Sequence, residues 1–235
     1  MNRTIMICLA VLLVALGLTA CTQAVSKAAA EQSAVPSAAD STEQNVLPES
    51  TEPPAPEMID FEVNRYAVTA GAAAYLGGAE EQYKALVDAV CSKKETEPYT
   101  DEDAAKRAVE VFAETPYSAL AEVAVKDGAF QITYTGSGDA DTFDAAVKAL
   151  VESCVYKDAN EAEKALILYR TIASEFAQEG GENGSLYKTV TEQKGSAEDL
   201  ANTLTYLFVQ NGISADRVSG MVGESERSWT AAELS

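Results

Sequence analysis

Acid–base chemistry near neutral pH most often runs through histidine, and this chain of 235 residues has none. That removes Ser–His and Cys–His nucleophile pairs and most zinc sites. The side chains that remain for chemistry are few. Ser196 is a hydroxyl nucleophile only with a base beside it. Lys194 is near in sequence, but an exposed lysine is protonated at neutral pH. A serine followed three residues later by an acid, Asp199, reads instead as a helix N-cap. Cys91 and Cys154 match no metal spacing, and both fall on apolar faces of expected helices. Export would permit a disulfide between them, and two buried free thiols fit the sequence equally well. Asp139 and Asp141 lack the spacing of a calcium loop. No cofactor and no metal site is expected.

The elements that must position these residues are legible from periodicity. Tyr83, Leu86, Val87, Val90 and Cys91 recur at helical spacing, so residues 79–92 read as an amphipathic helix. A second helix runs to about Glu114, with Thr100 as its expected cap and acids in its first turn. Residues 120–135 then alternate on either side of Asp127-Gly128, the strongest short hairpin signal. Phe143, Val147, Leu150 and Cys154 mark another helix, and Ala165, Leu166, Tyr169, Ile172 and Phe176 one more. From Ser196, a helix with Leu200, Leu204, Leu207 and Phe208 on one face ends at Asn211-Gly212. A strand follows from Ile213 to Val222, and another begins around Trp229. The pattern is α+β: helix-rich, with short antiparallel strands.

The first residues place this domain. A basic start is followed by an apolar run, Ile5 to Leu18, too short to span a bilayer. The run closes on Leu18-Thr19-Ala20-Cys21. This resembles the lipobox of bacterial lipoproteins, and the resemblance implies a signal peptide over 1–20 and a lipid on Cys21. Two or more acyl chains on that cysteine hold a protein at a membrane, which one chain does only marginally. Residues 21–57 hold five of the seven prolines and no aromatic residue. They read as a tether unable to bury a core. The expectation is an extracytoplasmic domain beginning near Met58, lipid-anchored to a bacterial cell membrane. Its charge, 17 basic against 37 acidic residues, disfavours nucleic acid as a partner.

The segment Lys194–Trp229 is similar to the core of the transglutaminase-like superfamily, which is related in architecture to papain-type proteases. There a Gly-x-Cys leads into a helix that ends in Gly-Ile. A strand with an Ala and a Val-x-Gly follows, and the next begins His-x-Trp. Gly195-Ser196-Ala197, Gly212-Ile213, Ala215, Val218, Gly220 and Arg227-Ser228-Trp229 stand at those places. The resemblance implies two regions, 58–155 and a transglutaminase-like 156–235, and a remnant cleft at Ser196, Ala197, Arg227 and Trp229, with Trp229 in the core.

It also implies that the catalysis is lost. Ala197 stands where the nucleophilic Cys would be and has no nucleophilic atom. Arg227 stands where the His would be and accepts no proton near neutral pH. The expected function is therefore a non-catalytic surface lipoprotein whose cleft binds a peptide or the cell wall. The alternatives are a structural or protein-interaction module of the envelope, and an enzyme of another mechanism. Beyond Trp229 the expected sheet has an edge open to a partner strand.

Overall fold

The computed structural model describes residues 55–136, 138–180, 184–223 and 225–234. The expected signal peptide, Cys21 and the tether up to residue 54 lie outside the described residues. Pro53–Ser235 forms one compact unit. Backbone contacts to the rest of the fold include Glu57, a residue before the expected Met58. Lys157 N–H donates to the Glu57 carbonyl at 2.9 Å, and Met58 bridges Tyr156.

Seven helices and seven strands follow in the described residues. They are α1 (Ala70–Leu76), α2 (Glu80–Cys91), β1 (Thr96–Pro98), α3 (Glu102–Ala113), β2 (Ala121–Lys126), β3 (Ala129–Tyr134), α4 (Ala140–Cys154) and α5 (Glu161–Glu175). After these come β4 (Ala177–Gln178), α6 (Leu186–Glu192), β5 (Lys194–Gly195), α7 (Ala197–Gln210), β6 (Ser214–Val222) and β7 (Ser225–Glu233). A 3-10 turn, Pro116–Ala119, joins α3 to β2. The architecture is α+β. Strands β1-β3-β2 form one antiparallel sheet, β4 and β5 a short parallel pair, and β6 and β7 a separate antiparallel hairpin.

Local rules explain most boundaries. The β2–β3 turn places Asp127 and Gly128 at φ of 54° and 77°, the two left-handed residues of a tight hairpin turn. Asp101, not the expected Thr100, caps α3 by accepting the Ala104 N–H at 2.7 Å. Its carboxylate also suits the positive end of the helix better than a hydroxyl does. Asn160 and Glu163 close a capping box on α5, and Ser196 and Asp199 close one on α7. The two helices that periodicity does not announce, α1 and α6, have seven residues each. Thr69 and Ser185 cap them.

Both expected regions feed one core, from Phe61 and Leu86 through Phe130 and Phe143 to Leu168 and Leu207. Phe143 is its hub: it stacks on Tyr187 and meets Tyr117 and Tyr206 edge-on, with centroids 5.5–5.9 Å apart. No helix among the described residues is long and apolar enough to cross a membrane.

Candidate functional site

The polar positions along α7 are divided between its N-terminus and one flank. At the N-terminus, Ser196 is the cap expected of it. Its hydroxyl donates to Asp199 Oδ2 at 2.8 Å and accepts the Asp199 N–H at 3.1 Å. Asp199 is buried, and it also accepts the N–H groups of Gly184 and Ser196 at 3.0 and 2.9 Å. Gly195 has a packing reason for being glycine. A Cβ there would lie 2.8 Å from Asp199 Cβ and 3.1 Å from Thr189 Oγ1. Lys194 is no base for Ser196. Hydrogen bonding to Glu192 and the charge of Glu179 raise its pKa above the ordinary lysine value.

Ala197 is exposed at the first turn of α7, and Arg227 is exposed in β7. Trp229 corrects an expectation: it is 44% exposed, not core. The pleat explains this. Thr230 points into α7, with its Oγ1 2.9 Å from the Ala201 carbonyl and 3.0 Å from Thr205 Oγ1. Its neighbour Trp229 must then point to the other face of the hairpin. The indole lies over Gly220, where a Cβ would come within 2.9 Å of Cη2.

Cys91 and Cys154 are both free thiols, each half-buried on its helix. Burial pushes the Cys91 thiol up to about 11 and raises that of Cys154 as well. Neither has the lowered pKa of a reactive cysteine.

A cavity lies on the other flank of α7. It is a groove of about 730 Å³, bounded by α1, the end of α3 and the 3-10 turn on one side. The start of α6, α7 and the start of β6 bound it on the other. Ser196, Ala197, Arg227 and Trp229 are not among its lining residues. Residues that sequence reasoning did not single out line it instead, among them Arg65, Tyr75, Glu114, Asn202, Asp216 and Arg217.

Fixed polar contacts shape this groove. Arg65 reaches it from the irregular segment before α1. Its Nε donates to Asp144 Oδ2 and its Nη2 to Asp141 Oδ1, both at 2.6 Å. Tyr117, buried at the floor, donates to the other Asp144 oxygen at 2.7 Å. On the α7 side, Arg217 reaches Asn202 Oδ1 at 3.3 Å and Glu198 Oε1 at 3.5 Å. Asp216 accepts the Gly71 N–H at 3.1 Å. On the opposite wall Tyr75 donates its hydroxyl to Glu110.

The shifted groups here move away from neutrality. Burial opposes the charge of Arg65, but hydrogen bonds to Asp144 and Asp141 outweigh it and raise the pKa. Burial, with Tyr206 and Asp144 nearby, raises the Tyr117 phenol, and burial raises Tyr206. The hydrogen bond to Glu110 raises that of Tyr75. Among the described residues no cluster of three or more acids and cysteines has a metal-holding arrangement.

No protein-family model matches this chain, and no curated protein matches it.

Proposed function

We propose that this protein is a non-catalytic, lipid-anchored binding protein of the bacterial envelope. In this reading the groove beside α7 takes a peptide, such as a stem peptide of the cell wall. The groove itself carries the proposal. It is of ligand size, and it offers guanidinium, carboxylate, hydroxyl and amide groups together, the set a peptide with both amine and carboxylate ends requires. Its shifted groups, Arg65, Tyr75 and Tyr117, are held in one protonation state around neutral pH, which suits fixed recognition better than proton transfer. The transglutaminase-like reading of 156–235 belongs to the same proposal. It rests on the Gly195-Ser196-Ala197 and Arg227-Ser228-Trp229 spacing and on the succession α7, β6, β7. The lipid on Cys21 and the tether would hold the groove clear of the membrane.

The test is co-sedimentation of the chain from residue 21 onward, carrying Cys21→Ser, with washed peptidoglycan sacculi. Ala113 lines the groove and is exposed at the end of α3, so Ala113→Trp fills the groove without entering the core. Saturable pelleting that Ala113→Trp abolishes, and that Ala197→Phe and Arg227→Ala leave intact, is the expected result. If neither sacculi nor their soluble peptide digest binds saturably, the proposal is wrong. Pelleting lost in Ala197→Phe but kept in Ala113→Trp would move the ligand to the expected remnant cleft.

A further inference from the structure

The β6–β7 hairpin is a nine-residue by nine-residue ribbon with one covered face. α7 covers the side to which Ala215 and Thr230 point. The other side carries Val218, Val222 and Trp229, all exposed, and Met221 and Leu234 on the same hairpin and its tail are exposed too. These five are half of the ten large exposed hydrophobic side chains of the described residues. The two edges of the ribbon differ. α1 lies against β6, where the Gly71 N–H reaches Asp216. β7 packs on β6 and α7, and its outer edge pairs with no strand among the described residues. A long strand edge flanked by apolar side chains is a template for another strand.

We infer that the occupant of this edge is a second copy of the same chain, with β7 pairing antiparallel to its twin about a twofold axis through Thr230. The charge pattern of β7 selects this partner and this register. Arg227 and Glu233 each stand three residues from Thr230, and with Trp229 and Ala231 they share the open face. Antiparallel self-pairing centred on Thr230 sets Arg227 of each copy opposite Glu233 of the other. It also sets each Trp229 opposite the other copy's Ala231, a small residue that leaves room for the indole. A twofold perpendicular to the sheet keeps both open faces on one side, so the register moves only in steps of two. The adjacent steps set Trp229 against Trp229 or Ala231 against Ala231, and both break the Arg227–Glu233 pairs. Opposite charges directly across an antiparallel pair favour it and like charges oppose it. The product is a four-stranded sheet with an α7 from each copy on one face. Anchoring on one membrane would raise the effective concentration of the two copies and favour the pairing further.

Sedimentation equilibrium on the chain from residue 21 onward with Cys21→Ser, at up to roughly 100 μM, tests this. The expected result is a reversible monomer–dimer equilibrium. Arg227→Glu and Glu233→Arg each turn two attractive pairs into two repulsive ones, and each should weaken the dimer roughly 10-fold or more. The double variant restores the pairs and should recover dimerisation. Both side chains are exposed, so folding is not at stake, and circular dichroism checks it. A wild-type chain that stays monomeric over the whole range overturns the inference. So does a dimer insensitive to the single reversals, or one that the double reversal fails to restore.

Discussion

Replacing Asp144 by alanine removes the group that ties Arg65 to the floor of the groove, and its cost follows from the contacts. Tyr117 is 1% exposed and donates its hydroxyl to Asp144 Oδ1 at 2.7 Å. Without that acceptor a buried donor is left unsatisfied, which costs about 1–3 kcal/mol. The ion pair to Arg65 is partly wet, with the two side chains 30% and 17% exposed, and adds about 1 kcal/mol. Asp144→Ala should therefore destabilise the fold by about 3 kcal/mol. For a domain of this size that is a fall in Tm of roughly 6–12 °C. Urea unfolding followed by circular dichroism at pH 7 measures it. Tyr117→Phe removes the orphaned hydroxyl, so the double variant should be about 1 kcal/mol less destabilised than the two single losses summed. Asp141→Ala is the control. Asp141 also holds Arg65 at 2.6 Å, but its side chain is 92% exposed, and the change should cost under about 0.5 kcal/mol. An Asp144→Ala loss below about 1 kcal/mol, or equal losses for Asp141 and Asp144, would refute the argument that burial, not distance, sets the worth of these contacts.

Asp199→Ala takes the acceptor from Gly184 N–H, Ser196 N–H and Ser196 Oγ at once, and should cost about 3 kcal/mol or more in the same unfolding assay. Gly195→Ala forces a methyl group to 2.8 Å from Asp199 Cβ and should cost about 1–3 kcal/mol, whereas Ala197→Ser on the exposed next turn should be close to neutral. Stability should also fall in alkali. The folded-state pKa values of Cys91, Tyr83, Tyr117 and Tyr206 are raised by burial, so the protonated forms belong to the folded state. Their contribution is full below the ordinary values near 9 and 10 and is lost as pH rises past them, through about 11 for Cys91. The urea midpoint should hold from pH 6 to about 8.5 and decline above about 9. A midpoint that rises over that interval would contradict the assignment. Both thiols of the folded chain should react slowly with a disulfide reagent at pH 8 and fast in denaturant, and reduction should expose no additional thiol.

Local signals in the sequence settled much of the local structure, though not the short helices α1 and α6 or the cap of α3. Periodicity placed α2, α4, α5 and α7, Asp127-Gly128 placed the β2–β3 hairpin, and Ser196 with Asp199 announced the cap of α7. Each is decided within four residues by backbone hydrogen bonds and side-chain spacing. The groove was not legible. Arg65, Tyr117, Asp144 and Arg217 come from four separate elements, and no spacing links them before packing around Phe143 does. Trp229 shows the same division within one strand. Its hydrophobicity argued for the core, but its exposure was decided by which face of β7 met α7, and Thr230 took that face. The sequence alone determines the absence of histidine, the acidity, and the order in which Gly195-Ser196-Ala197 and Arg227-Ser228-Trp229 follow one another, since these are matters of composition and order. The groove, the open hairpin face and the edge of β7 that pairs with no strand among the described residues are matters of which surfaces meet, and only the tertiary structure decides those, because burial and long-range pairing are properties of the packed chain and not of any segment of it.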